Sequence, residues 1–129
     1  MSGFGRHFCA VLGFFLIGCS GETRLVPVEG TVSYAGQPVT GGVIVFCPDS
    51  NRGNDGPLAQ AAIAPDGHFS LLTDGKPGAI VGWHRITLTT SPQDLNGSSL
   101  PGRYSNPDLS GQSFEVKQTQ PNNCQIRLD

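Results

Sequence analysis

Four cysteines and three histidines are the residues of this 129-residue chain with the most chemistry to offer. Cys9 and Cys19 stand in and just after an apolar run, whereas Cys47 and Cys124 stand alone, 77 positions apart. A thiol can be a nucleophile, a metal ligand, an acylation site or half of a disulfide, and its compartment and surroundings decide which. His7, His68 and His84 have no His or Cys close in sequence beyond Cys9 beside His7, so no set of three or four zinc ligands is spelled out. General-base work needs His68 or His84 beside a nucleophile or an orienting carboxylate. No Gly-x-Ser-x-Gly elbow, His-Glu-x-x-His pair or phosphate loop occurs. The expectation is a chain that is not an enzyme, with no catalytic residue, metal or cofactor.

The residues before Cys19 have the three parts of an export signal. Arg6 and the terminal amine supply a positive start, and Phe8 to Gly18 is an apolar run of 11 residues. A membrane-spanning helix needs about 20, so the run suits a signal core rather than a permanent span. Leu16-Ile17-Gly18-Cys19 resembles the lipobox of bacterial lipoproteins. That resemblance implies cleavage after Gly18, acylation of the Cys19 sulfur with palmitate-like chains, and attachment to a membrane. Two or three acyl chains hold a protein stably where one does not. Ser20 follows where an Asp is an inner-membrane retention signal, which tilts the expectation toward the outer membrane. Secretion with cleavage elsewhere, or a short buried helix in a cytoplasmic chain, are the competing readings.

Removing residues 1–18 leaves 111 residues, one ordinary domain. Ten acidic residues against seven Lys and Arg give that part a formal charge of −3. Its basic residues are scattered, which argues against nucleic acid as a partner. Gly and Pro, 18 and 10 of them, punctuate β-branched and apolar runs as turns do in an all-β fold.

Seven short strands are expected. "VEGTVSY" (28–34) alternates apolar and polar residues with a period of two. "VIVFC" (43–47) is apolar on both faces, and "LAQAAIA" and "HFSLLT" read as a hairpin about Asp66-Gly67. "WHRITLTT" (83–90) places His84, Ile86 and Leu88 on one face and Trp83, Arg85, Thr87 and Thr89 on the other. "FEVK" (114–117) and "CQIRLD" (124–129) complete the set. Residues 48–57 form a polar loop, read as mobile, and 91–113 a long connection. The pattern predicts an all-β two-sheet sandwich.

Four stretches carry a further resemblance: "VEGTVSYAGQPVTGGVIVFCPD", "APDGHFSL", "DGKPGAIVGWHRITL" and "LPGRYSNPDLSGQSFEVKQTQPNNCQIRLD". Together they resemble small bacterial lipoproteins with a transthyretin-like, or carboxypeptidase regulatory-like, domain. The resemblance implies a seven-stranded Greek-key β-sandwich over residues 26–129, after a signal peptide (1–18) and an acylated tether (19–25). Such domains are generally non-catalytic. The related hydroxyisourate hydrolases end in Tyr-Arg-Gly-Ser, whereas this chain ends "QIRLD".

Several residues carry expectations of their own. His84 is expected inside with a satisfied nitrogen, and His68 in solvent at a strand start. Asp49, Asn51, Asn54 and Asp55 do not complete a calcium loop, for no closing Glu follows. Lys76, in a turn, and Lys117, ending a strand, are poorly placed for an isopeptide bond. In an exported chain Cys47 and Cys124, each in phase with apolar neighbours, are either a disulfide or two buried free thiols. A bond closing so long a loop contributes about 4–5 kcal/mol in the chain-entropy model. Trp83, with Tyr104 if the long loop folds back, is the candidate contact for a glycan or small solute. The overall expectation is a non-catalytic envelope lipoprotein, exported and anchored in a membrane through Cys19. Its partner would be an envelope protein, met through the loops at 48–57 and 91–113, or a glycan.

Overall fold

The computed structural model describes residues 24–129 except positions 96 and 120, so the expected export signal and the expected acylation site Cys19 lie outside the described residues. The chain is all-β. Its strands are β1 (Leu25–Val26), β2 (Val28–Tyr34), β3 (Gln37–Pro38), β4 (Val43–Pro48), β5 (Ala59–Ala62), β6 (His68–Ser70), β7 (Leu72–Thr73), β8 (Lys76–Pro77), β9 (Ala79–Ile80), β10 (Gly82–Thr89), β11 (Ser113–Val116) and β12 (Asn122–Leu128). All seven expected runs form strands; five of the twelve strands, β1, β3, β7, β8 and β9, are only two residues long.

Two principal sheets face one another. The larger runs β11-β10-β4-β5-β7-β8; the smaller runs β12-β2-β3, with β6 on the β3 side of β2. β12 lies parallel to β2 along its whole length, Asn122 opposite Val28 and Leu128 opposite Tyr34. β1 pairs with β9 where the described chain begins. The core is where the inward faces meet: Val28, Val32, Phe69, Ile126 and Leu128 from the smaller sheet, Ile44, Phe46, Ala59, Ile86, Leu88 and Val116 from the larger. The Phe46 and Phe69 rings, 6.0 Å apart, join the two. Period-two alternation is what puts these side chains inside, and β2 and β12 keep it cleanly.

The expected hairpin about Asp66-Gly67 is only half formed. The turn closes, Gly67 N–H donating to Ala64 O at 2.8 Å, but β6 then pairs with β2 in the opposite sheet. The chain changes sheets at Leu71, whose N–H donates to Val28 O and whose carbonyl accepts from Gly78 N–H. β7 then rejoins β5 through Leu72 and Gln60. Leu71, fully buried, wedges between the sheets at that crossing.

Candidate functional site

The densest polar constellation lies at the end of the sandwich where β4 stops. Pro48 ends that strand, and Asp49 caps a 3-10 turn at Ser50–Arg52, its Oδ1 accepting from Asn51 N–H at 3.1 Å. Gly53, at φ +81°, closes the turn in the left-handed region that glycine occupies without strain. Two further ties pin the loop to β10, since Trp83 O accepts from Asp49 N–H at 2.9 Å and from Asn54 Nδ2 at 2.8 Å. The loop read as mobile is thus held by its own side chains.

Asp49 is 4% exposed. A buried carboxylate needs a charge partner, and Arg85 supplies it from β10, Nε to Oδ2 at 3.3 Å, with Arg52 Nε at 3.6 Å. Arg85 also donates from Nη1 to Asp108 Oδ1 at 2.7 Å. One guanidinium therefore joins the 48–57 loop to the 91–113 connection. The Arg52 guanidinium lies 4.2 Å from the centre of the Trp83 ring, a cation–π stack. Asp49, Arg52, Arg85, Asp108 and Gln112 line a shallow groove of about 460 Å³. What such a groove can offer chemically is charge-assisted hydrogen bonds from guanidinium N–H groups. The first carboxylate of this loop, Asp49, is thus turned to two arginines. No group of three or more His, Cys, Asp or Glu able to hold a metal occurs among the described residues.

Other residues singled out from sequence are dispersed. Tyr104 is 2% exposed and belongs to the core, its hydroxyl near Arg103 and 3.5 Å from Asp129 O. It cannot stack on a ligand. Its 3-10 turn, Gly102–Ser105, shares a groove with Leu88 to Pro92, at the end of β10 opposite Trp83. Trp83 and Tyr104 therefore form no common pocket, because the long loop folds back at the far end of that strand.

Cys47 and Cys124 are free thiols, not a disulfide. On β4 it is Ile44 and Phe46 that face the core, which turns Val43, Val45 and Cys47 to the outside. Cys124 does point inward with Ile126 and Leu128, from the other sheet. Apolar runs on both faces of β4 concealed which phase was inner. Burial raises both thiol pKa values, that of Cys124 to about 12, so neither is a ready thiolate.

His84 is inside as expected, between Phe46 and the opposite-strand neighbours Phe114 and Pro48. Only Nδ1 finds a partner, Gly82 O at 3.0 Å; Nε2 is buried with none. Burial lowers its pKa, against a smaller opposing effect of the Gly82 carbonyl. His68 Nε2 lies 3.1 Å from Glu29 Oε1. That is a His–carboxylate pair, but it stands on an exposed sheet face with no nucleophile bonded to it. Lys117 Nζ reaches Glu115 at 3.8 Å, while Asn122 spends its amide on the Lys117 backbone, so this pair is not arranged for an isopeptide bond.

Sequence reasoning missed the Asp49–Arg85–Asp108 bridge. The available signals were an Asp directly after a strand, in a Gly- and Asn-rich turn, and an Arg on the outer face of the clearest strand. Compared with known proteins, the chain matches no family model, no curated protein and no solved structure.

Proposed function

We propose that this chain is a non-catalytic interaction module of the cell envelope, carried on a lipid at Cys19. The reading takes residues 1–18 as the leader, 19–25 as acylated tether and 26–129 as a Greek-key, transthyretin-like sandwich. The observation that carries the interaction part of it is an apolar groove of about 600 Å³ on the outer face of the larger sheet. Val43, Leu58 and Leu72 surround it at 40%, 47% and 41% exposure, with Ala62 and Gln60 between. Clustered exposed aliphatic side chains on a rigid sheet suit contact with another protein.

The layout favours the anchor as well. Leu25 already pairs with Ile80, so five residues, 20–24, separate Cys19 from the folded module, about 20 Å of fully extended chain. The glycan reading through Trp83 and Tyr104 loses its second aromatic to the core.

The test joins both parts. Palmitate labelling and leader cleavage are expected in the native chain and absent in Cys19→Ala. Leu72→Asp is expected to retain the label while losing the protein that co-purifies from detergent-solubilised envelopes. An unlabelled native chain would remove the envelope reading, and co-purification indifferent to Leu72→Asp would remove the groove.

A further inference from the structure

The outer edge of β12 goes unused among the described residues. β12 ends the smaller sheet and pairs only with β2. The Leu128 carbonyl accepts from Ala35 N–H on the β2 side at 2.9 Å. Backbone groups of successive strand residues point to opposite edges, so those of Asn123, Gln125 and Arg127 point away from the sheet. None of the three makes a backbone hydrogen bond to any described residue.

Among the described residues, the other edge strands of the two principal sheets each carry a guard of the kind that blocks strand addition. β8 is Lys76–Pro77, β3 ends in Pro38, β11 is four residues long and holds Glu115 before Lys117, and β6 has three residues. β12 has seven residues with no Pro, Gly or Lys, and its register with β2 runs without a bulge. Arg127 is its one charge.

We infer that β12 pairs antiparallel with β12 of a second copy about a two-fold axis at Gln125, making one continuous sheet across both molecules. The strand is self-complementary in that register. Gln125 faces Gln125 of the second copy, and Arg127 faces Asn123 on each side, so no like charges oppose. The three outward-pointing residues each fall in a hydrogen-bonded pair, and since such pairs exchange both bonds, six ladder bonds form. A register moved by two residues toward the C-terminus sets Arg127 against Gln125, and one moved by four sets Arg127 against Arg127. Buried edge backbone and an isologous contact are what a C2 dimer requires. So small an interface is a transient one. The surface differs from the apolar groove, which lies on the other sheet, so the two assignments stand or fall separately.

The experiment is sedimentation equilibrium of the full chain in density-matched mild detergent, up to about 1 mM protein. The native chain is expected to show reversible monomer–dimer association. Gln125→Glu and Gln125→Lys, each placing like charges across the axis, are expected to weaken it about fivefold. An equimolar mixture of the two variants is expected to restore it. Unchanged thermal unfolding in both variants excludes misfolding as the cause, because residue 125 is exposed. A chain monomeric throughout the range overturns the inference, leaving the edge to a strand of another protein. So does association indifferent to both charges, which is how pairing through the apolar N-terminal run would behave.

Discussion

His84 makes the stability of this domain depend on acid in a calculable way. Its ring is fully buried, Nε2 has no partner, and burial lowers its pKa from 6.5. The unfolded chain therefore binds a proton at this residue more readily than the folded one. With a depressed folded pKa, stability is complete above about pH 6.5 and falls as pH drops through that value, levelling off below the folded pKa. The limiting slope is about 1.4 kcal/mol per pH unit for one proton. If the folded ring takes up none, the loss between pH 7 and pH 5 reaches about 2 kcal/mol. Carboxylates also titrate at the acid end of this range, so the wild-type curve alone is insufficient. His84→Phe supplies the reference: an aromatic ring of similar shape, set beside Phe46 and Phe114, with no titrating nitrogen. Urea unfolding of both chains at half-unit steps from pH 7.5 to 5 isolates the difference. Wild type is expected to lose stability relative to His84→Phe as pH falls, with about 2 kcal/mol at pH 5 as the upper limit. At pH 7 the two should lie within about 1 kcal/mol, since the variant loses the Gly82 bond but also the orphaned Nε2. A difference flat across the range would show that His84 titrates as freely folded as unfolded, and the burial argument would fail.

Three other outcomes follow from contacts described above. Arg85→Ala leaves the buried Asp49 with only the more distant Arg52 as charge partner, and is expected to cost about 3 kcal/mol in chemical unfolding; Asp108→Ala, at the 78%-exposed end of the same bridge, should cost under about 0.5 kcal/mol. Equal losses would mean that burial of Asp49 is not what makes the bridge matter. Gly30→Ala places a methyl against the Cys124 carbonyl of the adjoining strand and 2.9 Å from Phe69 Cζ, so a loss of about 3 kcal/mol or more is expected, and a neutral result would show that β12 can shift away. Alkylation followed by peptide mapping, under denaturing conditions without reductant, should modify both Cys47 and Cys124; protection of the pair until reductant is added would restore the disulfide.

Much of the strand layout was legible because burial follows a period of two. β2, β10 and β12 each write their inner face as an uninterrupted alternation, and the structure buries His84, Ile86 and Leu88, and Cys124, Ile126 and Leu128, on those faces. The method fails where both faces are apolar. Val43 to Cys47 could be read in either phase, and the phase that hides Ile44 and Phe46 turns Cys47 outward, which undoes the disulfide. It fails again at 68–73, where a turn signal marks a reversal but not which sheet receives the next strand. Two of the loop residues were misjudged for the same reason. Asp49 looked solvated and Tyr104 looked available, yet both are buried by segments far away in sequence.

The sequence by itself determined the strand runs, the turns between them and the inner faces of the regular strands, because these are local consequences of residue type and alternation. It also holds the apolar run and Cys19 on which the envelope reading rests. Tertiary structure alone decided that β12 lies parallel to β2 with a free edge, that Leu71 carries the chain from one sheet to the other, and that Arg85 joins two loops through Asp49 and Asp108. The physical reason is that strand order and register depend on which apolar faces close on each other. That is a property of the whole packed core, and no single segment encodes it.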